Sequence, residues 1–180
     1  MTAVSDRPTL TARAGVSTPV LPQHRLALVG EAPGPGQPDG AHPLDPTMSQ
    51  GAAGRLCRVL DMTEREYLET FARANLLPEY PGPAFPVSQA RPLAEALCQR
   101  LAPRPLLLLG QGVAMAFRFP REHSILDWVN YRLGDTWCCA AVVPHPSGRN
   151  LWYNDPANRE RVRAFVTDSL TGPPLIHDWP

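Results

Sequence analysis

Three short apolar runs in this chain each stop abruptly at glycine or proline, and that punctuation limits the fold more than any other feature. Arg25-Leu-Ala-Leu-Val29 breaks into Gly30-Glu-Ala-Pro-Gly-Pro-Gly36, Leu106–Leu109 is closed by Gly110, and Trp137–Val143 runs straight into Pro144. Such brief runs read as buried strands that feed tight loops. Between them the apolar residues recur at helical spacing. Ser49 is expected to cap a helix over 50–61, with Leu56, Val59 and Leu60 as its apolar stripe. Thr63 and Glu66 have capping-box spacing for a second, short helix. Residues 71–77 are expected as a strand carrying Asn75 near its end. Leu93, Leu97 and Leu101 share one face of a helix over 88–102 that stops at Pro103. A small-residue helix is expected over about 112–118. Asp155 followed by Pro156 is a helix start, and that last helix should reach about Leu170.

Strands alternating with helices make βαβ units. The predicted fold is therefore α/β: a single three-layer αβα domain around a central, mainly parallel four-stranded sheet. The domain should span 25–172. Residues 1–24, rich in Thr, Pro, Ser and Ala, are expected as an N-terminal arm, and 173–180 as a C-terminal tail. With 180 residues, 43% of them hydrophobic, the chain can bury one core and not two.

Charge narrows the function classes. Arginine and lysine together number 17, matched by 17 acidic residues, so the chain does not coat nucleic acid by net charge alone. A local basic rim touching a few phosphates is still compatible with this balance. Every one of those cations is arginine, as in a GC-rich genome. None of Cys57, Cys98, Cys138 and Cys139 forms a C-x-x-C pair, so neither a zinc ribbon nor a cluster ligand set is signalled, and no metal is expected. Cys138 and Cys139 lie in an apolar run and read as core. Residues 1–24 lack the apolar stretch of a signal peptide and no run is long enough to span a bilayer, so no membrane partner and a cytoplasmic location are expected.

Two segments could carry chemistry. In open α/β sheets ligands bind at the carboxyl ends of the strands, where the loop after residue 29, Asn75 and the loop after Val143 should meet. In Gly30-Glu31-Ala32-Pro33-Gly34 the small residues allow close backbone approach to a ligand, with a single carboxylate at the mouth of the sheet. A plain turn is the plainer alternative. A phosphate-cradling loop is disfavoured, because the Lys-Ser/Thr of a P-loop is missing and two prolines remove donors. In His145-Pro-Ser-Gly-Arg149-Asn150 the imidazole sits between two prolines, a rigid setting for a hydrogen-bond donor. Ser147 and Gly148 could offer donors to a phosphate, and Arg149 could reach into a duplex or simply be solvated.

These two segments, in this order, resemble the signature motifs of the uracil-DNA glycosylase superfamily. The first is similar to the version in its thermostable iron–sulfur branch, the second to that of its single-strand-selective branch. The resemblance runs from about residue 25 to 166, and takes in the Ala-Gly-Arg-Leu helix after the first loop, the Arg-Ala-Asn75 strand and the Leu-Leu-Gly-Gln turn. It implies excision of a flipped, deaminated base from DNA by a monomer that needs no cofactor. Glu31 would orient water or stabilise the sugar cation, and His145 would donate to the base O2. Asn75 would read the base edge, and Ser147–Asn150 would enter the minor groove, with Arg149 filling the vacated stack. Gly30, Ala32, Pro33, Gly34 and Met48 would line the base pocket. The sequence departs from the pattern in three places. Its cysteines do not match those of the iron–sulfur branch, so no cluster is expected. Met48 and Ser49 stand near the place of a Phe that stacks on the base. Gly34 replaces a bulky residue that in some branches excludes a 5-methyl group, so larger bases would fit. Two other readings stay open: a non-catalytic module that binds DNA or a damaged base on the same fold, and an unrelated nucleotide- or sugar-processing hydrolase.

Overall fold

The computed structural model describes residues 18–35, 37 and 42–172. Its sheet has five strands, not the four expected, in the order β2-β1-β3-β5-β4. Strands β1 (Leu26–Gly30), β2 (Phe71–Asn75), β3 (Leu106–Leu109) and β5 (Thr136–Val143) are parallel, and β4 (Val129–Leu133) pairs antiparallel with β5 along the edge. The fifth strand escapes a reading based on apolar runs for a physical reason. As an edge strand it buries only Val129 and Leu133, with polar or half-exposed residues between. Its hairpin partner follows after Gly134-Asp135, where Gly134 adopts φ +59°, the backbone that a two-residue hairpin loop requires.

Helices cover both faces, and side-chain alternation along the central strands explains why. Ala27, Val29, Leu106 and Leu108 point into a cluster with α3 (Val87–Leu101) and α4 (Gln111–Ala116). Leu26, Leu28, Leu107 and Leu109 point the other way, to α1 (Ala52–Leu60), α2 (Glu64–Thr70) and α5 (Pro156–Thr171). Strands buried on both faces must be apolar throughout, which is what Leu-Leu-Leu-Leu in β3 supplies. All four cysteines are buried and free.

Local signals hold at two of the three expected caps. Thr63 and Glu66 form the reciprocal capping box of α2, and Asp155 accepts from the Ala157 N–H ahead of α5. Ser49 does not cap α1. That helix starts at Ala52 behind Gly51, with no side-chain cap. Gly54 is the reason: a Cβ there would lie 2.8 Å from the Met48 carbonyl and the Ser49 Cα, so the 48–51 turn folds directly onto the helix. The last stretch of the expected arm is also engaged. Thr18 exchanges hydrogen bonds with the Arg73 backbone, and His24 is buried. Residues 1–17 and the expected tail 173–180 lie outside the described residues.

The strand order fixes where a ligand can sit. From β1 the chain moves outward to β2, then crosses back over β1 to β3. The carboxyl ends of β1 and β3 are thus the topological switch point, where the loops diverge and leave a crevice.

Candidate active site

Glu31 is the first residue after β1, so it stands at that crevice. Its backbone is held in place because the parallel pairing with β2 continues past the strand ends: the Leu76 N–H donates to the Gly30 carbonyl and the Leu77 N–H to the Glu31 carbonyl. The Glu31 side chain lies against Gly112 in the first turn of α4. A Cβ on Gly112 would fall 2.6 Å from Glu31 Oε1 and 2.9 Å from Phe85 Cδ1. The carboxylate is half-buried, and desolvation raises its pKa above the ordinary value.

His145 reaches the same turn from the other side. The Gly110 N–H donates to the Val143 carbonyl, which carries the β3–β5 pairing one residue further. Gly110 has φ +94°, and a Cβ on it would sit 2.9 Å from that of His145. Glu31 and His145 therefore pack on two glycines of one Gly110-Gln111-Gly112 turn. Burial lowers the His145 pKa, so the imidazole is neutral at pH 7 and carries one N–H donor. Its loop is tied down by its own sequence. Tyr153 Oη donates to the Pro144 carbonyl at 2.7 Å, and Asn150 Nδ2 to the His145 carbonyl at 3.0 Å. Asn150, expected to touch DNA, also accepts from the Trp152 N–H through its Oδ1, which leaves one amide N–H without a partner among these bonds.

Asn75 ends β2 and is 3% exposed. Its Oδ1 has no hydrogen-bond donor among the described residues, although leaving a buried acceptor unpaired costs about 1–3 kcal/mol. The oxygen rests on Gly30, where a Cβ would come within 2.7 Å of it. Gly30 is thus the residue that lets the amide lie across the end of β1. The Leu44 side chain packs on the same glycine, its Cδ2 3.1 Å from the added Cβ, and Leu44 itself has φ +50°.

The remaining expected residues ring this centre. Ala32 and Pro33 are half-buried. Gly34 is exposed, with nothing among the described residues within 4 Å of where its Cβ would be. Its N–H donates to Gln37 Oε1, and Gln37 Nε2 donates to Met48 Sδ at 2.9 Å, so Met48 is linked to the first loop although 42% exposed. Ser147 is half-buried; Gly148 and Arg149 are exposed.

Four contributors were not singled out from sequence as site residues. Gly112 and Phe85 seat the carboxylate, and Tyr153 clamps the His145 loop. The fourth is Arg55, whose guanidinium lies on Gly148: a Cβ there would be 2.5 Å from Nη2. Arg55 Nε donates to the Gln50 carbonyl, and no carboxylate pairs with it among the described residues. The visible signals for them were the Leu-Leu-Gly-Gln turn just ahead of Gly112 and the Ala-Gly-Arg-Leu segment that contains Arg55. Among the described residues no group of three or more His, Cys, Asp or Glu side chains could hold a metal ion, and no helix is long and apolar enough to cross a membrane. No protein-family model matches the chain, and the search of curated proteins finds no match.

Proposed function

We propose that this chain is a DNA glycosylase that hydrolyses the N-glycosidic bond of uracil or a related deaminated base, the first step of base excision repair. The observation that carries this reading is the unpaired, buried Asn75 Oδ1 on the sheet edge that also carries Glu31 and His145. An acceptor with no donor in the protein suits a ligand that brings an N–H. Uracil N3–H is such a donor, while the Asn75 amide N–H₂ can donate to O4; cytosine offers the opposite pattern.

The chemistry then follows from the two ionisable groups. A flipped nucleotide enters the crevice. As the bond from C1′ to the base nitrogen breaks, its electron pair leaves with the base and negative charge grows on O2. The neutral His145 imidazole donates to that oxygen, an interaction that strengthens as the charge develops. Glu31 faces the positive sugar and orients a water whose oxygen bonds to C1′; the carboxylate takes the proton that water releases. Phe85, beside the carboxylate on Gly112, would offer an aromatic surface to the base, with the Met48 thioether near the first loop as a second apolar contact. Gly34, with no described residue within 4 Å of where its Cβ would be, supports entry of bases larger than uracil. Ser147, Gly148 and Arg55 would hold the phosphates that flank the flipped nucleotide, and Arg149 would fill the vacated stack. The reading includes a monomer in the cytoplasm and hydrolysis by water without a cofactor.

One observation favours the second reading, a module that binds DNA or a damaged base without cutting it. Leu44 lies over Gly30, next to the Asn75 amide that should read the base. The test is base release from labelled oligonucleotides carrying uracil, hypoxanthine or xanthine, single-stranded and paired, with wild type and Glu31→Ala. Strand breakage after alkali that falls about a hundredfold or more in the variant supports the enzyme. DNA binding with no release from any substrate supports the module.

A further inference from the structure

A cleft opens beside the start of α4. It has a volume of about 850 Å³ and lies between α3, α4 and the segment that follows α4, with Val142 of β5 also in its wall. Such a volume falls within the range of about 300–1,000 Å³ typical of ligand sites. Gln111 lines it, and Gln111 is the middle residue of the turn that seats both Glu31 and His145. Val142 lies three residues before His145. The cleft therefore shares with Glu31 and His145 the turn that follows β3.

Its walls combine cations with apolar and aromatic surface. Arg91 comes from α3, and Arg118 and Arg121 from the segment after α4. Arg118 makes a long, exposed pair with Glu95 at 3.5 Å, while Arg91 and Arg121 have no carboxylate partner among the described residues. Glu122 is the one acidic residue among the described residues of the lining. Met115, 39% exposed, and Phe119 supply the apolar part. Phe119 is held edge-on between Tyr131 and His123, at ring separations of 6.0 and 6.5 Å. Spaced cations beside an aromatic and a thioether are the features that bind a nucleic-acid strand without reading its sequence. The chain's net charge of zero makes this local excess of arginine stand out.

We infer that this cleft is the path of the single strand that leads to or from the flipped nucleotide, with Arg91 and Arg121 on its phosphates and Phe119 and His123 against a flanking base. The inference rests on the glycosylase reading and extends it: the substrate becomes a strand with unpaired nucleotides on one side of the damaged base.

The test measures anisotropy of labelled single strands of about 5 to about 15 nucleotides, in the size range of single-strand sites. Each carries one deoxyuridine whose 2′-fluoro sugar resists cleavage. Extending one flank should tighten binding and extending the other should not. In Arg91→Ala/Arg121→Ala the gain from that flank should vanish, and the slope of log affinity against log salt should fall by about 1.4. Met115→Glu, which puts a carboxylate into the cleft, should lose the same gain; melting curves establish that both variants fold. Unchanged flank dependence and salt slope in the folded variants, with wild type still releasing base, would overturn the strand path and leave the glycosylase reading standing. A wild type that neither binds nor cleaves any oligonucleotide overturns both. Saturation of the cleft by a free nucleotide that long strands do not displace makes it a small-ligand site and also overturns the inference.

Discussion

The sharpest consequence of the geometry concerns a residue with no side chain. Replacing Gly112 by alanine places a Cβ 2.6 Å from Glu31 Oε1, and ordinary contact begins at 3.4 Å, so the carboxylate must retreat by about 0.8 Å. It cannot be accommodated by shifting the new methyl the other way, because Phe85 Cδ1 stands only 2.9 Å off. Displacing a reacting group by about 1 Å costs on the order of a hundredfold in rate. Gly112→Ala should therefore lower single-turnover base release by about 30- to 100-fold, or roughly 2–2.7 kcal/mol of barrier. The stability loss should be no larger than this, and small enough to leave the protein folded. Alanine gains about 0.5–1 kcal/mol over glycine in a helix, against about 1–3 kcal/mol for the crowding. The net loss is at most roughly 2–2.5 kcal/mol, or a Tm lower by no more than about 10 °C in a chain of this size. The assay is release of labelled uracil under enzyme excess at 25 °C, with a thermal melt on the same sample. A folded Gly112→Ala protein that releases base within about threefold of wild type would refute the argument. It would mean that the position of this carboxylate does not matter to the chemistry.

Two further outcomes follow from the same site. Burial alone raises the Glu31 pKa, so the folded protein favours the neutral acid; the associated stability is complete below the ordinary carboxylate pKa and is lost as pH rises through the raised one. Glu31→Gln should thus be inactive yet melt higher than wild type at pH 7, with the gap closing as pH is taken down through the carboxylate range; a lower-melting Gln variant at pH 7 would reveal a cation holding the carboxylate. Arg55→Ala should weaken DNA binding and reduce the salt slope by about 0.7–0.9, one phosphate contact, and Gly148→Ala should do the same by displacing the guanidinium it touches. Salt titrations of oligonucleotide affinity check both, and an unchanged slope in Arg55→Ala removes this residue from the phosphate contacts.

Much of the fold could be read because its central strands are buried on both faces. Leu106–Leu109 has no polar residue to confuse it with a surface helix, and Leu26–Gly30 is 0% exposed at each apolar position. Where burial is one-sided the reading fails. The edge strand Val129–Leu133 alternates between buried ends and exposed residues, and only its Gly134-Asp135 turn marks it. Ser49 fails as a cap for the opposite reason. It is a good capping residue by type, but the position it would cap is set by a tertiary contact, the 48–51 turn on Gly54. Propensity describes a residue alone, and here a neighbour decides.

The site divides along the same line. Glu31, Asn75 and His145 are each the last residue of a strand or within two of its end, so a correct strand assignment brings them to one edge with no knowledge of side-chain packing. What holds them there is long-range and left no local pattern. Tyr153 reads as an aromatic near a helix start, yet its hydroxyl fixes the carbonyl that precedes His145. Gly110 and Gly112 read as the ordinary end of a strand and start of a helix. In the fold they are the two surfaces without a Cβ against which an imidazole and a carboxylate rest. A side chain at either position would move one reactive group relative to the other. The separation of the Glu31 carboxylate and the His145 imidazole is therefore set by two glycines of the turn that leads from β3 into α4, and Gly110→Ala should perturb His145 as Gly112→Ala perturbs Glu31.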